Sequence, residues 1–335
     1  MGYCDKIVLL GVVHISILTL KNAVLASIAD TAYVFKTVNE LLEGQGKQPL
    51  FKVSLVGLSM DVVPNGGLFS IRPEMAITDL KRTDLIIIPS MTGDALASTY
   101  VNKDYAPWIS DMYKSGAEVA SLCVGAFLLA FTGLLRNRQC TTHWAYANEF
   151  RYYYPDVTLV DEKVITHQQG LYSSGGNNAY WNLLLHLVEK YTNRETAIHT
   201  AKFFVIDLDR TDQSPFIIFN GQKNHKDKTI INAQEFIEQR YADKLTIDQI
   251  AAAFNVSRRT FERRFKKATR NTVVEYIQRV KVEATKKQLE IGRKSILEVM
   301  YDVGYSDVKT FRDIFRKITG MTPNEYRNKY SARDV

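Results

Sequence analysis

Along the first two hundred residues the apolar positions come in short unbroken blocks. Lys6–Val13, Phe51–Leu58, Asp84–Pro89 and Glu118–Cys123 are rich in Val, Ile and Leu, with helix-length stretches such as Leu25–Leu42 and Ala106–Ser115 between them. Continuous apolar strands alternating with helices predict a parallel sheet covered on both faces. A later helix, about Asn178–Tyr191, closes this part. Residues 194–230 hold Asp207-Leu-Asp-Arg210, Gln213-Ser-Pro215 and the polar run Gln222–Lys228, and they read as a connector.

Beyond residue 230 the apolar spacing becomes helical and repeats. Thr246-Ile-Asp-Gln249 and Ser295-Ile-Leu-Glu298 stand 49 residues apart, each a hydroxyl residue with Gln or Glu three places on. That is a capping box, which satisfies free backbone N–H groups at a helix start. Apolar residues then run at i, i+3, i+4 and i+7: Ile247, Ile250, Ala251, Phe254 in one copy and Ile296, Val299, Met300, Val303 in the other. Asn255 and Gly304 follow, both tolerant of the left-handed backbone that ends a helix sharply. Ser257 and Ser306 are placed to cap second helices. Phe261, Phe265 and Ala268 anchor the first of these, and Phe311, Ile314, Phe315 and Ile318 the second. The pattern is a helix-turn-helix present twice. Between the copies, Thr272 to about Leu289 reads as one helix buried through Val273, Ile277, Val280 and Ala284. Eighteen residues at ~1.5 Å each reach ~27 Å, close to the ~34 Å between successive major-groove faces.

Charge sharpens this picture. Residues 231–335 carry 22 Lys and Arg against 14 Asp and Glu, so the first 230 hold 21 against 22 and the whole net charge of +7 resides in the last third. That asymmetry fits a nucleic-acid-binding domain beside a neutral one, and equally a solvated basic surface; the duplicated motif decides for the first. Arg258, Arg259, Arg263, Arg264, Lys266, Lys267 and Arg270 crowd the second helix of the first copy against Glu262 alone, while Lys309, Arg312, Arg316 and Lys317 are offset by Asp307 and Asp313. The first copy is therefore expected to supply more of the affinity.

Composition is that of an ordinary globular chain of 335 residues, 46% hydrophobic and 24% charged, which excludes a mainly disordered, collagen-like or coiled-coil protein. The run Ile7–Val13 stops at His14, too short for a membrane span and without a signal-peptide pattern. Three cysteines, Cys4, Cys123 and Cys140, imply no disulfide framework and point to a reducing cytoplasm. Cys140 lies three residues from His143 without further ligands, which makes no metal site, and no cofactor is expected.

The other chemical feature is Ser121-Leu-Cys123-Val-Gly125, directly after a strand and before the apolar segment Ala126–Thr132, with Thr141-Thr-His143-Trp144 twenty residues on. A cysteine on a strand-to-helix turn, with a histidine elsewhere, suits a nucleophile and its base. A buried inert thiol and a loop-ordering histidine fit the same residues.

Two resemblances follow. Segment 230–330 is similar to the AraC/XylS DNA-binding domain through Ala252-Ala253-Phe254-Asn255-Val256-Ser257, Arg259-Thr260-Phe261, Gly304-Tyr305-Ser306-Asp307, and Phe311-Arg312-Asp313-Ile314-Phe315-Arg316-Lys317 with Gly320-Met-Thr-Pro323 and Tyr326-Arg327. It implies that Arg259, Glu262 and Arg263 face bases in one groove and Lys309 and Arg312 in the next, with Arg258, Lys266 and Arg316 completing the DNA-contact set. The first part resembles the PfpI-like branch of the class I glutamine amidotransferase-like fold, and more closely the GlxA-type regulators that join it to an AraC-type domain. Cys123-Val-Gly125-Ala-Phe, Thr141-Thr-His143-Trp144, Ser173-Ser-Gly175-Gly176 and Gln213-Ser-Pro215-Phe216 carry that likeness.

The resemblances imply a flavodoxin-like three-layer α/β domain, a parallel sheet between helices, followed by an all-α domain with two helix-turn-helix units. The division expected is a ligand-sensing domain 1–195, a connector 196–229 and a DNA-binding domain 230–330. Enzymes of the first fold carry an acidic residue after the first strand, but His14 to Ala29 contains no Asp or Glu, and Asp30 lies inside the first helix. Their oxyanion glycine pair is here Pro89-Ser90-Met91, and Val124 stands where the proteases have histidine. The expectation is a non-enzymatic transcription regulator, acting on double-stranded DNA as a homodimer. Its small effector, amino-acid-like or a quaternary amine, would sit near Cys123, His143 and Trp144, with Tyr146 and Tyr152 available for an aromatic box. The alternatives are a cysteine-dependent amidase or hydrolase fused to a DNA-targeting domain, and a redox sensor using Cys123.

Overall fold

A computed structural model describes residues 11–331 apart from 62 and 66–68. The chain divides into two compact units, residues 1–213 and 214–335.

The first unit is built on a seven-stranded sheet. Its strands lie in the order Ile165–Gln168, Leu171–Ser174, Glu118–Ser121, Leu85–Ile88, Val13–Leu18, Phe51–Gly57, Met75–Ala76. All neighbouring pairs are parallel except the first, where Ile165–Gln168 turns back antiparallel to Leu171–Ser174. The central strands are apolar on both faces, with Leu85, Ile86, Ile87 and Ile88 all fully buried, because helices cover each side. Helices Leu25–Gly44, Tyr105–Lys114 and Ala179–Tyr191 fall where the periodicity places them.

Two expectations need correction. Among the described residues the first strand is Val13–Leu18; of the expected run Lys6–Val13, residues 6–10 lie outside the described residues and 11–12 are not strand. His14 does not stop the strand, because its backbone N–H is taken by Asp84 Oδ2 at 2.9 Å and its neighbours pair in parallel register with residues 51–56. The segment read as a connector also opens with a helix, Arg194–Phe204, capped by Asn193 and buried through Ala197 and Ala201. Its apolar stripe is short and small, so composition hides it, yet it packs on helices Leu25–Gly44 and Ala179–Tyr191.

The second unit is all helical. Helix Lys228–Gln239 precedes the pair Ile247–Ala253 and Arg258–Thr269; the 19-residue helix Val273–Ile291 leads to Ile296–Asp302 and Val308–Thr319, and Pro323–Tyr330 ends the unit. Both expected capping boxes form, and Thr272–Glu275 and Thr322–Glu325 add two more. Asn255 and Gly304 turn the chain with φ of +53° and +78°. Only glycine fits the second turn, since a Cβ on Gly304 would stand 2.0 Å from the Ala242 carbonyl oxygen. The linking helix is buried through Val273, Tyr276, Val280 and Leu289, with Ile277 and Ala284 only partly covered. It also buries Lys281, which donates to the Val303 and Gly304 carbonyls at 2.9 and 3.3 Å and so ties this helix to the second turn.

Candidate functional site

Cys123 stands at the end of strand Glu118–Ser121 with φ +53°, the left-handed conformation of a strand-to-helix nucleophile turn. Gly125 lets that turn press on the neighbouring strand: a Cβ there would lie 2.6 Å from the Pro89 oxygen and 2.7 Å from that of Ile88. The scaffold of a nucleophile is present.

The thiol is buried and donates to Asn177 Oδ1 at 3.5 Å. Burial pushes the thiol up to about 11 from an ordinary 9.0, outweighing the hydrogen bonds of the Ser90 side chain and the Val124 backbone, which lower it. His143 is the N-cap of the short turn 144–146; its Nδ1 accepts from the Ala145 N–H at 3.1 Å, and burial lowers its pKa. Cys123 and His143 thus have separate hydrogen-bond partners. Asp30 accepts from Tyr180 Oη at 2.5 Å. Two amides of these loops are engaged: Ser90 N–H donates to Ser27 Oγ at 3.1 Å and Cys123 N–H to Ser174 Oγ at 3.2 Å.

Of the expected aromatic group, Trp144 and Tyr146 flank His143 at ring distances of 5.3 and 6.0 Å. Tyr152 does not join them. It is 71% exposed and meets Tyr153 edge to face, since helix Ala147–Tyr153 turns it outward. A separate cavity of about 390 Å³ lies at the antiparallel edge of the sheet, lined by Lys163, Asn182, His186, Arg194 and Arg210 among others.

In the second unit, helices Arg258–Thr269 and Val308–Thr319 each bury a Phe pair, Phe261 with Phe265 and Phe311 with Phe315. Arg258, Arg259, Arg263, Lys266, Lys309, Arg312 and Arg316 are exposed, and Glu262 is half-buried. Arg258 pairs with Asp248 at 2.9 Å and with Glu262 at 3.6 Å, so part of its charge is already balanced. Arg263 and Lys266 border a groove of about 500 Å³ with Lys267, Arg270 and the apolar Ile247 and Val274. Ser257 begins its helix but hydrogen-bonds Thr260 Oγ1 rather than a backbone N–H. The second helix is capped not by Ser306 but by Asp307, whose carboxylate takes the Thr310 N–H at 2.7 Å. An acid read as offsetting basic charge is therefore a cap.

Three residues have contacts that the sequence does not show. Arg264, counted among the cations, forms a two-point ion pair with Asp227 at 2.6 and 2.9 Å and holds the reading helix to the start of helix Lys228–Gln239. Asn177 and Gln213 line the Cys123 loops through contacts that only folding creates. Asp227 just before a helical period was a legible N-cap signal; its partner Arg264 was not.

Comparison with known proteins agrees with both halves. The model of the DJ-1/PfpI family matches residues 32–190, and that of a helix-turn-helix domain residues 250–329. The HTH-type transcriptional regulator GbdR of Pseudomonas aeruginosa is 23% identical over 317 residues, 93% of this chain and 83% of its own. The HTH-type transcriptional regulator ArgR of the same species is 26% identical, over 66% of this chain and 67% of its own. A crystal structure of a putative transcriptional regulator protein from Vibrio parahaemolyticus superposes with TM-score 0.52 at 23% identity, covering 57% of this chain and 98% of that one. A THiJ/PfpI family protein from Pseudomonas syringae gives 0.50 at 14% identity, over 81% and 90%. The structural likenesses speak for the fold. The chain is a DJ-1/PfpI-type domain followed by an AraC-type helix-turn-helix domain, the arrangement of the HTH-type transcriptional regulators it resembles.

Proposed function

We propose that this chain is a one-component transcription regulator that binds specific double-stranded DNA through its second unit and a small effector through its first. One observation carries the DNA reading. Both second helices of the repeated motif turn their aromatic pair inward and present Arg259, Arg263, Lys266, Lys309, Arg312 and Arg316 outward. Arginine on an exposed helix face bonds guanine in bidentate fashion, and the flanking cations neutralise phosphates. Nineteen residues of linking helix span ~28 Å, which suits two reading helices in successive grooves.

The effector site we assign to the loops over Cys123, with His143 and Trp144. Asp94 and Glu149 approach Tyr146 there, and burial together with Asp94 raises the Glu149 pKa. Excess negative charge beside aromatic rings favours a cationic or zwitterionic effector, an amino-acid-like compound or a quaternary amine. The protein acts in the cytoplasm as a homodimer and not as an enzyme. A buried thiol pushed up to about 11, with no acidic residue between His14 and Ala29, supports that reading over a hydrolase.

The test has two arms. Full-length protein should bind a fragment enriched from random sequence with affinity that falls steeply with salt, and a thermal-shift screen of amino acids and quaternary amines should raise its Tm for one class. Absence of salt-sensitive DNA binding rejects the regulator reading; turnover of amide substrates that disappears in Cys123→Ala restores the hydrolase.

A further inference from the structure

The segment that leaves the sheet domain is held at both ends. Gln213, the last residue of the first unit, is 3% exposed. Its Oε1 accepts from the Gly176 N–H at 2.9 Å, and its Nε2 donates to the carbonyl of Thr142 at 3.0 Å, with Lys163 O at 3.2 Å and Thr141 Oγ1 at 3.3 Å. These are the loops around Cys123: Thr142 Oγ1 donates to the Cys123 carbonyl, and Asn177, next to Gly176, accepts from the thiol. The fit is close from the loop side too, since a Cβ on Gly175 would stand 2.5 Å from the Gln213 amide.

One peptide bond later the chain belongs to the second unit, and there it is strapped down. Buried Lys286 donates to the Ile217 carbonyl at 2.5 Å, and Glu283 accepts from the Phe219 N–H at 3.2 Å. Asn271 holds the Gln222 side chain at 3.1 Å. The strap ends at Asp227, on the two-point pair with Arg264 of the first reading helix.

We propose that Gln213 is a positioning residue, a latch that couples occupancy of the effector loops to the presentation of the first reading helix. A buried amide with all its partners in one place has two discrete states, seated or withdrawn, because any intermediate leaves polar atoms unpaired. An effector engaging the Gly176 N–H or Asn177 changes the balance between them, and the strap carries the change toward Arg264. The inference rests on the reading of the first unit as the effector domain.

The test uses the full chain and no effector. Gln213→Ala removes the latch from the strap side; Gly175→Ala expels it from the loop side. Hydrogen exchange of the peptide covering 214–221 is expected to quicken at least fivefold in both, with exchange across Phe261–Thr269 unchanged. The double variant should match Gln213→Ala alone, since the added methyl has nothing left to displace. The Kd for the DNA fragment enriched by the wild type should move at least threefold. Strap exchange within twofold of wild type in Gln213→Ala overturns the proposal, as does quickened exchange with an unmoved Kd. If Gly175→Ala fails to fold, the Gln213→Ala measurements decide alone. A failed regulator reading is seen separately, as wild-type protein that selects no DNA.

Discussion

The reaction rate of Cys123 with a disulfide reagent tests the first domain directly. Burial sets its thiol near 11 instead of 9.0, so at neutral pH the thiolate fraction is about 100-fold below that of a free cysteine. Each thiolate is in turn more nucleophilic, and a Brønsted slope of ~0.4–0.5 returns roughly six- to tenfold. The net expectation is reaction with a small aromatic disulfide on the order of tenfold slower than free cysteine at pH 7.5, before steric exclusion slows it further. Peptide mapping after timed labelling separates Cys123 from Cys140, whose thiol burial pushes up to about 12 and which is slower still. The rate should climb through pH 9 and 10 without a plateau. A plateau below pH 8, or a rate above that of free cysteine, would mean an activated thiolate; the account of a domain without catalysis would then be wrong.

Other outcomes follow from the second unit. Arg263→Ala should cost roughly 1–3 kcal/mol at particular base pairs of the operator, read by competition with single-base variants; a uniform loss over all sequences would make Arg263 a phosphate contact. Gly304→Ala should destabilise the unit by roughly 2–5 kcal/mol in urea unfolding, from a left-handed backbone plus a Cβ driven against the Ala242 carbonyl. The Arg264 partner holds the Asp227 carboxyl below its usual range. Its contribution is therefore present above the ordinary Asp value of 3.8 and lost as pH falls through the lower folded one. Asp227→Asn should cost about 1 kcal/mol at pH 7, screened because the pair is partly exposed, and the difference from wild type should close in acid; a gap that does not narrow as pH falls below the ordinary Asp value of 3.8 would contradict the ion pair as its source.

Much of this molecule was readable before folding was considered. Apolar blocks without alternation announced a parallel sheet, because strands covered on both faces have no polar side to display. Thr246–Gln249 and Ser295–Glu298 announced helix starts, because a capping box closes within four residues. Phe261, Phe265, Phe311 and Phe315 went to the core for the same local reason, an i, i+4 spacing that leaves the cations on the opposite face. Local patterns also misled where two candidates stood side by side: Ser306 and Asp307 can both cap, and the carboxylate reaches the Thr310 N–H.

What tertiary structure alone decided involves partners far apart in sequence. Only the packed sheet shows that Cys123 meets Asn177, that Ser27 already occupies the Ser90 amide, and that Asp30 serves Tyr180. Only the packed helices show that Arg264 is a clamp on Asp227 while Arg263 faces outward, and that Lys281 closes the second turn. Residue type and spacing determine which elements form, because backbone hydrogen bonds and caps are short-range. Whether a nucleophile is activated, or a cation free to meet DNA, depends on desolvation and on groups tens of residues away, and those are set when the elements come together.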